Sequence, residues 1–108
     1  MPLLRLTRIS FAMDRVAVAV PIFEARSRAI ADEPGCLAIT FGQLPEQPAS
    51  AVAVSMWSDT SSHAAHERTE SYARFAETVA EGDLLAGPPI IEVFEAPVFR
   101  VRYAWARS

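Results

Sequence analysis

Glu33-Pro34-Gly35-Cys36-Leu37-Ala38-Ile39-Thr40-Phe41 is the stretch whose reading decides how this chain folds. Pro34-Gly35 stops a helix, since proline has no N–H to continue the ladder and glycine favours a turn. From Cys36 to Leu44 apolar side chains then fall on both faces of an extended run, with Leu37, Ile39 and Phe41 on one and Cys36 and Ala38 on the other. That pattern is a strand with two covered faces. Pro45-Glu46-Gln47-Pro48-Ala49-Ser50 reads as a turn and Ala51 to Trp57 as the next strand, so residues 36–57 form a β-hairpin.

Upstream, Leu3 to Met13 alternates as a first strand. Leu4, Leu6, Arg8, Ser10 and Ala12 share one face, and Leu3, Arg5, Thr7, Ile9 and Phe11 share the face expected toward the helices. In residues 14–33 two signals compete. Val16-Ala17-Val18-Ala19-Val20 is locally strand-like, whereas Val16, Val20, Phe23, Ser27 and Ile30 recur at helical spacing. A helix is expected, firmest from Pro21 to Asp32, with Pro21 in its first turn.

Downstream, Ser58, Asp59 or Thr60 caps a single helix over residues 60–81, which Gly82 ends. On it His63, Glu67, Glu70, Arg74 and Glu77 form a solvated face, and Ala65, Thr69, Tyr72, Phe75, Ala76 and Val79 a buried one. Gly87-Pro88-Pro89 turns the chain into a fourth strand, Ile90 to Glu95, and after Pro97 the alternation of residues 98–105 reads as an extra C-terminal strand. The order β-α-β-β-α-β is the ferredoxin-like α+β arrangement, an antiparallel sheet with helices on one face. Apolar residues on both faces of the strands leave the helix-free face in need of cover, so a homodimer is expected.

A chain of 108 residues with 51% hydrophobic and 21% charged side chains is a single globular domain, residues 1–108, with a modest core. Ten arginines and no lysine stand against 13 acidic residues, a formal charge of −3. The arginines are scattered from Arg5 to Arg107, which argues against a nucleic acid partner. No window approaches the ~20 apolar residues of a membrane span, and the start has no secretory pattern, so no membrane partner and a cytoplasmic location are expected. The lone Cys36 has no disulfide partner and reads as a small buried hydrophobe at the head of a strand. No glycine-rich phosphate loop, dinucleotide fingerprint or metal-spaced ligand set is present, so no cofactor and no metal are expected.

His66 borders the polar and apolar faces of its helix and is the candidate proton acceptor, since an imidazole with a pKa near ~6.5 can take a phenolic proton at neutral pH. No orienting carboxylate is evident from the sequence, and a half-buried structural role is the alternative. His63 reads as a surface residue. Tyr72, on the apolar face, needs a partner for its hydroxyl and is the second catalytic candidate.

The landmarks Glu33-Pro34-Gly35-Cys36-Leu37, the alternating run after them, Trp57, His66 nine residues later and Gly87-Pro88-Pro89 resemble the antibiotic biosynthesis monooxygenase family over about residues 3–97. The resemblance implies a dimeric α+β barrel in which two sheets pack together and the strand at 98–105 crosses to the other subunit. It also implies a pocket between helices and sheet, and oxidation of a small aromatic ligand such as a polyketide phenol by O2 without flavin or metal. Thr7, Phe23, Arg26, Trp57 and Phe75 are the expected pocket residues, Arg26 being suited to a carboxylate or phenolate. Some heme-degrading relatives carry an Asn, a Trp and an axial His where this chain has Thr7, His66 and Phe75, which speaks against heme degradation here. The alternative to an enzyme is a non-catalytic, ligand-binding or stress-associated dimer using the same cavity.

Overall fold

The computed structural model describes residues 1–100. At the centre of its sheet runs β1 (Leu3–Ser10), antiparallel to β3 (Gln47–Trp57) on one side and to β4 (Ile90–Glu95) on the other, with β2 (Cys36–Leu44) outside β3. The order β2-β3-β1-β4 is that of the ferredoxin-like fold. Pairing begins earlier in β3 than expected, because the turn contracts to Pro45-Glu46 and Gln47 already faces Leu44. β1 ends at Ser10, and Phe11 then makes an isolated bridge to Leu85 instead of extending the strand to Met13.

The helix α1 (Val16–Ile30) contains the whole Val16–Val20 run, and Pro21 sits inside it rather than in its first turn. Tertiary packing outweighs the strand propensity of that run. Ala19 and Phe23 are buried on the face toward the sheet while Pro21 is exposed, so the proline forfeits one backbone bond on the solvent side and disturbs no packing. Phe11, Phe23 and Phe75 stack edge-on in series, with ring centroids 5.1 and 4.9 Å apart, and Ile9, Ala19 and Leu84 complete the core.

The expected single helix over 60–81 is two helices, α2 (Thr60–Glu67) and α3 (Glu70–Glu81). Asp59 caps the first by accepting from the Ser62 amide at 2.8 Å. The break follows from Thr69, whose hydroxyl donates to the His66 carbonyl at 2.9 Å and accepts from the Tyr72 amide at 3.1 Å. A side chain that satisfies the first amides of a new helix competes with continuing the old one. Gly82 follows α3 as expected, although the left-handed residue there is Asp83 (φ 48°).

At Gly35 the backbone takes φ +82°, and any Cβ would collide with the Ser62 side chain of α2. Glycine is required there on both counts. Cys36, beside it, is half-buried rather than buried, and burial pushes its thiol pKa up. The described part of the expected terminal strand, residues 98–100, is not in a strand. The rest of that strand lies outside the described residues.

Candidate active site

The two faces of β3 differ in size. Val52, Val54 and Met56 occupy the helix-free face, whereas Ala51, Ala53 and Ser55 lie under the helices, opposite Ile9, Thr7 and Arg5 of β1. Small side chains in the floor leave room that the helices do not fill. The strongly amphipathic α3 buries none of its residues, and its apolar stripe of Tyr72, Phe75, Ala76 and Val79 forms the wall of the resulting cavity, of about 480 Å³. That volume suits a small-molecule ligand, and apolar walls with a few convergent polar groups are the usual make-up of such a site.

Thr7, Phe23, Arg26, His66, Tyr72 and Phe75 all line this cavity. Trp57 does not. It is fully buried behind the site, its indole N–H donating to Ser55 Oγ at 2.9 Å, and its ring stacks on His66 at 4.6 Å. Tyr72 closes the other flank of the imidazole edge-on at 5.2 Å, so His66 is clamped between two aromatic rings and is only 5% exposed.

Glu33 supplies the carboxylate that the sequence did not reveal. Its Oε1 lies 2.8 Å from His66 Nδ1, from the turn that Pro34-Gly35 creates after α1. A carboxylate there makes Nδ1 the protonated nitrogen and leaves the Nε2 lone pair available. Burial pulls the His66 pKa below the ordinary imidazole value, the Glu33 hydrogen bond and charge oppose this, and Arg5 and Arg26 add to the lowering. The imidazole therefore rests neutral, as a base, at pH 7.

Arg5 is the other residue that sequence reading missed. Only 7% exposed, it donates from Nη2 to the Tyr72 hydroxyl at 2.9 Å, and from Nη1 to Glu67 Oε2 at 3.0 Å and to His63 Nε2 at 3.3 Å. His63 is thus not the surface residue expected. It is 8% exposed, beside the Trp57 ring, with its Nδ1 directed to Glu67 at 3.9 Å. Burial lowers its pKa, against the pull of Glu67. Because the Tyr72 oxygen accepts from Arg5, its own proton is free to be donated. The signals for these partners were the alternation of small residues at 51, 53 and 55, which announces a cavity, and the placement of Arg5 on the inner face of the first strand.

Arg26 reaches the cavity from α1, with Nη1 donating to Ser71 Oγ at 3.2 Å and the guanidinium 5.7 Å from the centre of the Phe75 ring. Its Nη2 is 3.8 Å from Glu33 Oε2, an ion pair beyond hydrogen-bond distance. Among the described residues no group of three or more His, Cys, Asp or Glu side chains is arranged to hold a metal ion, and no helix is long and apolar enough to cross a membrane.

Fold and cavity together define a class, the small ferredoxin-like α+β proteins with a pocket between helices and sheet. Within it, the sequence profile of the antibiotic biosynthesis monooxygenase family matches residues 2–78, and the chain belongs to that family. A structure from Nitrosomonas europaea, provisionally named an antibiotic biosynthesis monooxygenase, is similar with a TM-score of 0.81 at 20% identity, over 89% of this chain and 99% of that one. Proteins of Mycobacterium tuberculosis (TM-score 0.80, 18% identity, 94% and 100% covered) and Pseudomonas aeruginosa (0.79, 21%, 90% and 95%) share the fold. No curated protein matches the sequence.

Proposed function

We propose that this protein is a monooxygenase that oxidises a small phenolic aromatic with O2, drawing the electrons from the substrate itself, and that it works as a homodimer. The observation that carries the reading is the His66–Glu33 pair, an oriented neutral imidazole at the wall of an apolar cavity. Family membership supports the reaction class. The homodimer is supported by the helix-free face, where Ile90 and Phe94 stand 59% and 48% exposed beside Leu4, Leu6 and Val54.

In this reading His66 Nε2 takes the hydroxyl proton of the bound phenol, and the Tyr72 hydroxyl, polarised by Arg5, donates to the oxygen left negative. The electron-rich carbon then adds O2. For an anthrone-type substrate, the ring methylene and O2 combine to a hydroperoxide on that carbon, which loses water to leave a ketone. One oxygen atom enters the product; the other departs as hydroxide, takes the proton held by His66 and leaves as water, while the last hydrogen of that carbon is released as a proton that restores the phenol.

The test is oxygen uptake with anthrone- and naphthol-type phenols under ¹⁸O2. Incorporation of one labelled atom into the product is expected. Compounds that bind in the cavity without turnover would instead make the protein the ligand-binding dimer considered above.

A further inference from the structure

Arg26 is held on three sides, by Ser71 at Nη1, by the Phe75 ring beneath, and by Glu33 at 3.8 Å, and its side chain is only 11% exposed. Within this fixed guanidinium Nη2 is buried and has no hydrogen-bond acceptor. Glu33 does not supply one, because its Oε1 is engaged by His66 and its Oε2, the oxygen paired with Arg26, stands 3.8 Å away, beyond hydrogen-bond distance. Burying a charged N–H without an acceptor is unfavourable, and a ligand oxygen at that point removes the penalty.

We propose that the substrate is a hydroxyaryl carboxylate, its carboxylate bound by Arg26 through Nη2 and its hydroxyl thereby delivered to His66. The proposal rests on the aromatic-oxygenase reading above and specifies the substrate class of that same cavity. Carboxylate is favoured over a second neutral hydroxyl because a rigid guanidinium gains most from a charged acceptor. The charges around the cavity permit it. Arg5 adds a second positive group to the floor, Glu67 answers Arg5 from a side chain 43% exposed to water, and Glu33 spans Arg26 and His66. An incoming anion therefore meets two cavity-lining guanidinium groups, Arg5 and Arg26, against one cavity-lining carboxylate, Asp83, while Glu33 is not part of the lining and has its charge shared between His66 and Arg26.

Calorimetric titration with 1-hydroxy-2-naphthoate, its methyl ester and 1-naphthol tests this without needing turnover. For the wild type the acid is expected to bind about tenfold or more tighter than either neutral compound, the scale of one charge-assisted hydrogen bond. Arg26→Gln is expected to abolish that preference while 1-naphthol binds as before, which also reports that the cavity is intact, and Arg26→Lys to restore part of it. Equal binding of acid and ester by the wild type, or a preference that survives Arg26→Gln, would overturn the assignment and leave the aromatic reading standing. Failure of all three compounds to bind would remove the aromatic reading and this inference with it.

Discussion

Glu33 Oε1 lies 2.8 Å from His66 Nδ1, a contact between the turn after α1 and the last turn of α2, made across 33 positions of sequence. It settles which nitrogen is protonated and, with Trp57 and Tyr72 on either flank, which way the ring faces. A base needs both before its pKa matters.

Turnover of a phenolic substrate should fall by about 10²–10⁴-fold in His66→Ala, the usual contribution of a general base. Glu33→Ala should give an intermediate loss, because the imidazole remains but is no longer oriented or supported as a cation. His63→Ala should act mainly on stability, since His63 is buried against Trp57 and bonded to Arg5. Steady-state kinetics with melting curves separate the three. Unchanged turnover in a folded His66→Ala protein would return His66 to a structural role.

Stability should depend on pH in a definite window. Burial, partly opposed by Glu33 and Glu67, lowers the folded-state pKa of His66 and of His63. Below about pH 6.5, the ordinary imidazole value, the unfolded chain binds more protons than the folded one, so stability decreases as pH falls from there toward the folded pKa values. Above that value the two imidazoles contribute no pH dependence. Urea midpoints measured from pH 8 down to 5 should be flat and then decline. The acid limb of the rate profile should lie below the ordinary imidazole range for the same reason. A decline beginning above pH 7 would contradict the assignment.

Gly35→Ala should destabilise the fold by more than about 2 kcal/mol, combining a left-handed backbone with a side-chain collision. The new methyl would strike Ser62 on α2 and push apart the turn and helix that carry Glu33 and His66. Chemical denaturation measures the first effect, and loss of ligand affinity in the surviving folded fraction the second. A neutral substitution would mean that the turn relaxes freely.

Sedimentation at micromolar concentration should give twice the chain mass. Phe94→Glu on the helix-free face should lower the dimer fraction, because burying a carboxylate in an apolar interface is costly. A monodisperse wild-type monomer would refute the dimer.

The element order, the hairpin at 36–57 and the inner face of the first strand were legible from alternation and from Pro34-Gly35, since these signals are local and repeat at the period of the backbone. The break at Thr69 was not, because one hydroxyl choosing the Tyr72 amide over continued helix leaves no periodic trace. Val16–Val20 was ambiguous for the opposite reason. Its propensity and its pattern disagree, and only burial of Ala19 and Phe23 against the sheet decides between them.

By itself, then, the sequence determined the architecture, the family and a pool of cavity residues that included His66, Tyr72, Arg26 and Phe75. Tertiary structure alone brought Glu33 to His66 and Arg5 to Tyr72 and His63, and moved Trp57 from the cavity wall to behind the imidazole. The physical reason is range. Strand and helix periods are written in neighbouring residues, whereas a hydrogen bond between groups 33 or 67 positions apart exists only after the chain has closed on itself, and only then do burial and partner charge act on the protonation of each group.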